Sequence, residues 1–150
     1  MPAEADCRRE TFGSGDAAVL LALFLSSAAG DESVRTREAL AAVVANQVRR
    51  LQRQHDAAAT GCEPQPVAAL FVECLGRLAR EPAASLRTDD AIFASCLRIA
   101  RRAVAGALHD PTGGAVRFHR LGAPPKGASG TNLGLLIGPF LFYGDTHSHA

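Results

Sequence analysis

Tryptophan is absent from this chain, lysine occurs once, at Lys126, and neither sign of charge dominates: the formal net charge is +1 over 150 residues. A near-neutral chain makes no general electrostatic case for nucleic acid, whose phosphates reward a basic surface, so nucleic acid is not expected as a partner. The apolar stretch Ala17 to Leu25 falls well short of the roughly 20 residues that cross a bilayer, and no membrane span is expected. The four cysteines, Cys7, Cys62, Cys74 and Cys96, contain no CxxC pair, which argues against a zinc cluster. "GASG" lacks the lysine and hydroxyl spacing of a phosphate-binding loop, and no internal repeat is evident.

What is present points to a packed helical domain. Hydrophobic residues make up 47% and charged residues 21%, enough apolar material for a core, and alanine abundance favours helices. A length of 150 residues fits one domain. Residues 1–14 are polar and read as a flexible N-terminal segment, 15–143 as the domain, and "GDTHSHA" as a disordered tail. His147 and His149 in that tail are read as frayed terminus and not as metal ligands. Asp16 is placed to cap a first helix over 17–27, apolar nearly all round and so expected to be buried, with Gly30 as its stop. Ser33 or Thr36 would cap a second over 37–54, whose Leu40, Val43, Val44, Val48 and Leu51 form one stripe; Arg49, Arg50, Arg53 and Gln54 fall mostly off it. His55 to Pro66 reads as a loop. Pro66 opens a third helix to about residue 79, with Val67, Leu70, Phe71, Cys74, Leu75 and Leu78 repeating the stripe. Asp89 or Asp90 would cap a fourth over 91–108, with Ile92, Cys96, Ile99, Ala103 and Ala107 inward and Arg98, Arg101 and Arg102 on its polar side.

After Leu108 the periodicity changes. "HDPTGGA" is a turn cluster, "AVRFHRL" (115–121) alternates like a half-buried strand, and "LGLLIGPFLFY" (133–143) reads as a second strand with Gly138 and Pro139 marking a bulge or edge. Two strands with a loop between them predict a hairpin on a helical body, an α+β domain, mainly helical, with a C-terminal β-hairpin. Cys74 and Cys96 lie on apolar helix faces and read as reduced, buried thiols; a Cys62–Cys74 disulfide stays open for a chain that leaves the cytoplasm. Arg8, Arg9, the run 17–25 and "SSAAG" imitate a secretory signal. Glu4, Asp6, Glu10 and Asp16 put acids where such a signal needs positive charge. The expectation is a retained helix in a chain that is cytoplasmic as synthesised.

"DDAIFASCLRIARRAVAGALHDPTGGAVRFHRLG" (89–122) followed by "IGPFLFY" (137–143) resembles the SleB-type cell-wall hydrolase domain, in which a helix runs into a DPTGGA turn, an aromatic-His strand and an IG-x-H-x-FY strand. "SSAAGDES…EALAAVVANQV" is similar to that family's E-A-R-G-E segment and the helix after it, and "FVECL" (71–75) to its F-x-CW segment. The resemblance spans Ala17 to Tyr143, and DPTGGA-x-x-FH is its specific part. It implies a lysozyme-like or lytic-transglycosylase-like fold that acts on peptidoglycan glycan strands without a cofactor, at the cell wall or in the periplasm.

Such cleavage needs one carboxylic acid at the cleft, desolvated enough to stay protonated near neutral pH. The resemblance assigns that role to the first Glu of E-A-R-G-E, and aligning Gly30 with the motif's glycine puts Ser27 there. Ala29 replaces the motif's Arg and Asp31 its second Glu. A serine hydroxyl is no general acid at this pH, and losing the function costs about 10²–10⁴-fold in rate. Asp31 or Glu32 could stand in as the acid, or remain solvated turn carboxylates. Phe140 takes the place of the motif's His, and "PPKGA" lacks the tryptophan usual in that loop. Asn46 matches the family's helix Asn or is a surface residue. Thr112 sits in a turn whose Gly113 and Gly114 suit positive φ, with glycan contact a secondary reading. His119 either lines the cleft or is a satisfied structural residue. Two functions stay open: a weak or inactive glycan-cleaving hydrolase, and a catalytically silent glycan-binding or protein-interaction module.

Overall fold

A computed structural model describes residues 13–58, 65–78, 90–121 and 134–144. Within them the chain forms four helices, α1 (Ser14–Ala29), α2 (Val34–Ala57), α3 (Val67–Leu78) and α4 (Asp90–Val104), and three strands, β1 (Arg117–Arg120), β2 (Leu135–Ile137) and β3 (Phe140–Tyr143). The flexible segment expected over 1–14 lies outside the described residues except for Gly13 and Ser14, which open α1. The expected tail falls outside them as well, apart from Gly144.

Helix ends follow local hydrogen bonding more closely than the apolar stripes did. Asp16 is not the N-cap of α1; Gly13 is, and the Asp16 carboxylate accepts from the Gly13 amide at 3.0 Å from inside the first turn. There it also complements the positive end of the helix. Of the two residues considered for α2, Ser33 caps it, its hydroxyl accepting from the Thr36 amide at 3.2 Å. α2 starts three residues before the expected 37 and runs on through Ala57, taking in the first part of the segment read as a loop. Pro66 precedes α3, its carbonyl accepting from the Ala69 and Leu70 amides. α4 stops at Val104 and not near Leu108. Gly106 adopts φ 73°, the Ala107 amide donates to Arg102 O at 2.8 Å and the Gly106 amide to Ala103 O at 3.1 Å. That pair of bonds is a Schellman closure, and it turns Ala107, expected inside, out to solvent.

The core sits between the helices. Leu21 and Leu25 of α1, Leu40, Val43 and Val44 of α2, Leu70 and Phe71 of α3, and Cys96 and Ile99 of α4 are all buried. Each such aliphatic or aromatic side chain contributes about 1.5–3 kcal/mol on burial. α1 is not buried all round: Val19 and Leu20 are 42% and 38% exposed, because α3 and α4 cover the opposite side. Cys74 and Cys96 are buried free thiols, as expected, and burial, with Glu73 beside it, pushes the Cys74 thiol up to about 11. Cys62 lies outside the described residues.

The C-terminal strands correct the expected topology. The segment 133–143 is not one strand. Gly138 (φ 57°) and Pro139 make a turn, so β2 and β3 form a tight hairpin, and β3 alone pairs with β1. The result is a three-stranded antiparallel sheet in the order β1-β3-β2. Gly138 is required by space as well as by φ: a Cβ there would come within 2.6 Å of Thr36 Oγ1 on the first turn of α2. The chain is thus mainly helical with a small antiparallel sheet, and the hairpin docks on the start of α2.

Candidate functional site

The turn between α1 and α2 carries the residues expected to matter most. Ser27 is not the end of a buried helix: α1 continues to Ala29, and Ser27 is exposed on its last turn. Ser26, half-buried, returns its hydroxyl proton to Ala22 O at 2.8 Å. Ser27 is three residues past Phe24, hence on the same side of α1, and Phe24 packs edge-on against Phe118 of β1 with centroids 6.3 Å apart. Asp31 is exposed, and Glu32 faces the Arg120 guanidinium at 3.9 Å. No carboxyl at this turn sits in an apolar pocket.

Strand alternation divides the residues assigned to the sheet. The register pairs Phe118 with Phe142, Arg120 with Phe140, and His119 with Leu141, so Phe118, Arg120, Phe140 and Phe142 share one face and His119, Leu141 and Tyr143 the other. Phe140 is 4% exposed; it lies beneath the Arg120 guanidinium, 5.5 Å from ring centroid to Cζ, and edge-on to Phe118. It is a core residue and does not line an open cleft, so its place in the expected binding set is corrected. His119 sits edge-on to Tyr143 at 5.6 Å. Its Nδ1 is buried without a hydrogen-bond partner among the described residues. The sheet itself lies between His119 and the Ser27–Glu32 turn.

Asn46 and Thr112 are brought together, but by a third residue. The Asp110 carboxylate accepts from the Thr112 amide at 2.7 Å, from the Thr112 hydroxyl, from the Gly114 amide at 2.8 Å and from Asn46 Nδ2 at 3.0 Å. Burial alone would raise the Asp110 pKa; the hydrogen bonds from Thr112, Asn46 and Gly114 outweigh it and hold the carboxyl below its ordinary 3.8. Asn46 Nδ2 also donates to Ala115 O at 2.9 Å, Gln47 Nε2 to Val116 O at 2.7 Å, and Thr112 Oγ1 accepts from the Ala115 amide. Asn46 and Thr112 are both buried, 8% and 9% exposed, so Asn46 is not a surface residue. This knot fixes the DPTGG turn to the middle of α2. Ten residues separate Asn46 from Thr36, about 15 Å along the helix, which sets the knot apart from the Ser27–Glu32 turn.

Sequence reasoning missed three side chains that organise this region. Asp110 was visible as an Asx-turn former before Pro-Thr-Gly-Gly. Arg120 stood in the alternating strand as an outward charge. Arg37 gave no local signal. It is 9% exposed, and its Nε donates to Ala29 O at 3.2 Å, Nη2 to Gly30 O at 2.9 Å and Nη1 to Ser95 Oγ at 3.1 Å. One guanidinium therefore closes the end of α1, anchors the start of α2 and ties both to α4.

No cluster of three or more His, Cys, Asp or Glu among the described residues is placed to hold a metal ion, and no helix among them is long and apolar enough to cross a membrane. No family model, curated protein or solved structure matches the chain.

Proposed function

We propose that the chain is a SleB-type cell-wall hydrolase domain of lysozyme-like or lytic-transglycosylase-like fold that meets peptidoglycan glycan strands and cleaves them weakly or not at all. The observation that carries this reading is the joint behaviour of the segments that bear the resemblance. The DPTGGA turn, β1 and the β2–β3 hairpin fold as one unit on α2, tied by Asp110, Asn46 and Gln47. A mainly helical body with a small antiparallel sheet is also the architecture that reading requires.

Binding without cleavage is favoured over catalysis by the state of the turn. Glycosidic bond cleavage needs a protonated carboxyl held out of water. Ser27 supplies a hydroxyl, Asp31 is open to solvent, and Glu32 is engaged by Arg120 at 3.9 Å. Polar and aromatic groups remain for holding a sugar, with His119 and Tyr143 on the outer sheet face.

The test is a co-sedimentation and muropeptide-release assay on purified peptidoglycan with the native chain, Ser27→Glu, Asp31→Asn and Glu32→Gln. Expected are sedimentation by all four and measurable product release from Ser27→Glu alone, with a gain below the general-acid factor of about 10²–10⁴. Robust native cleavage abolished by Asp31→Asn or Glu32→Gln would show a turn carboxylate acting as the acid. Absence of sedimentation in every case would remove peptidoglycan as the partner.

A further inference from the structure

α4 presents Ser95, Arg98, Ile99, Arg101 and Arg102 on adjoining turns, and with Val34 at the start of α2 they line an open groove of about 450 Å³. That volume lies within the range of small-molecule sites, about 300–1,000 Å³. Its floor is apolar, from Val34 and buried Ile99, and the side chains of Arg98, Arg101 and Arg102 line its walls. Arg98 and Arg101 are exposed and have no hydrogen-bond or ion-pair partner among the described residues. Arg102 pairs with Glu38 at 3.2 Å.

A second, independent observation lies beneath the groove. Arg37 is a buried cation whose partners are two backbone carbonyls and the Ser95 hydroxyl, all neutral. Buried charge is ordinarily matched by an opposite charge, and no carboxylate among the described residues does so here. Ser95 Oγ accepts from Arg37 at 3.1 Å, which leaves its own proton free to donate into the groove it lines. Arg98, Arg101 and Arg102 thus line the groove, Ser95 links it to the buried Arg37, and Glu38 pairs with Arg102.

We propose that this groove binds a phosphate monoester with a compact apolar body, the dianion held by Arg98, Arg101 and the Ser95 hydroxyl over the buried charge of Arg37, and the body seated on Val34 and Ile99. A phosphate carries about −1.5 to −2 at neutral pH, which fits the surplus of positive charge better than a single carboxylate does. Guanidinium forks match its oxygens in geometry as well. The groove is concave and floored by aliphatic side chains, which suits a small ligand more than a polymer backbone. This site is independent of the glycan reading and stands or falls separately.

The test is isothermal titration calorimetry in low-salt, phosphate-free buffer, with phenyl phosphate, inorganic phosphate and benzoate as probes. The proteins are the native chain, the double variant Arg98→Gln/Arg101→Gln, and Arg77→Gln as a distant arginine control on α3. Expected are binding of phenyl phosphate at least about tenfold tighter than of benzoate, a loss of about tenfold or more in the double variant, and no change in Arg77→Gln. Inorganic phosphate should bind more weakly than phenyl phosphate, since it lacks a body to cover Val34 and Ile99. Both replaced arginines are exposed and have no partner among the described residues, and thermal melting monitored by circular dichroism should match the native curve. Undetectable binding by the native chain, or equal binding by the double variant, overturns the assignment. So does a single-stranded oligonucleotide that binds more tightly than phenyl phosphate and is lost in the same variant, which would make the patch a nucleic-acid surface.

Discussion

Replacing Asp110 tests whether the DPTGG knot is what seats the sheet on the helices. Its carboxylate accepts four hydrogen bonds, two on each oxygen. Asp110→Ala strands the Thr112 amide, while Asn46 Nδ2 keeps Ala115 O and the exposed Gly114 amide turns to water. A bond to a charged acceptor is worth about 1.5–3 kcal/mol. With half-exposed members re-solvated, a loss of about 2–3 kcal/mol is expected in all. For a chain of this size that corresponds to about 4–12 °C in Tm. Asp110→Asn, which turns one acceptor oxygen into a donor, should lose less. The pH dependence gives the sharper readout. The folded-state pKa lies below the ordinary 3.8, so the contribution is complete above that value and disappears as pH falls through the folded one. The stability gap between native and Asp110→Asn should therefore be constant from about pH 5 upward and narrow below about pH 4. Thermal melts of both proteins across that range provide the measurement. A native-like Tm for Asp110→Ala, or a gap that widens in acid, refutes the reasoning.

Three further outcomes are expected. Gly138→Ala should destabilise by about 1–3 kcal/mol through its positive φ and the clash with Thr36 Oγ1, and Thr36→Ala should restore part of that loss in a double-mutant melt. Arg37→Met and Arg37→Lys should both lower stability by about 2–3 kcal/mol, since neither reproduces the three bonds to Ala29 O, Gly30 O and Ser95 Oγ; a native-like Arg37→Lys in urea unfolding would remove the fork argument. Cys74, raised from 9.0 to about 11, should carry about a hundredfold less thiolate folded than unfolded at pH 8. Peptide-resolved iodoacetamide labelling should find it protected until urea unfolds the chain, and equal rates in the two states would contradict its burial.

The helices were legible because periodicity survives in a single sequence. Leu40, Val43, Val44 and Val48 formed a stripe on paper and are buried in the fold. Their ends were less so, because caps depend on which amide a side chain reaches. Asp16 has the chemistry of an N-cap but works from the first turn, and Gly106 closes α4 inside a run of alanines that reads as helix. Gly138-Pro139 was ambiguous for a related reason: bulge and turn need the same residue types, and the choice is made by Thr36, about a hundred residues earlier. The resemblance supplied the candidate residues but not their grouping. Asn46 and Thr112 meet only through Asp110, and Arg37 reaches Ser95 across 58 positions.

The position of Ser27 carries a consequence for how any acid there would function. A glutamate at an exposed position on the last turn of α1 would stand in water, where burial does nothing to raise its pKa. It also falls at the negative end of the helix, which disfavours a carboxylate and so pushes in the direction a general acid needs, but that effect is screened at the surface. The rest must come from the glycan: a sugar strand lying over the turn would displace water from the carboxyl and from the Arg120–Glu32 pair beside it. Proton donation at this turn would then exist only in the bound complex. On the proposed glycan reading binding would come first, and the residues that secure the sheet to α2, Asp110 and Asn46, bear on both forms of that proposal, because they fix the sheet's place on the helices.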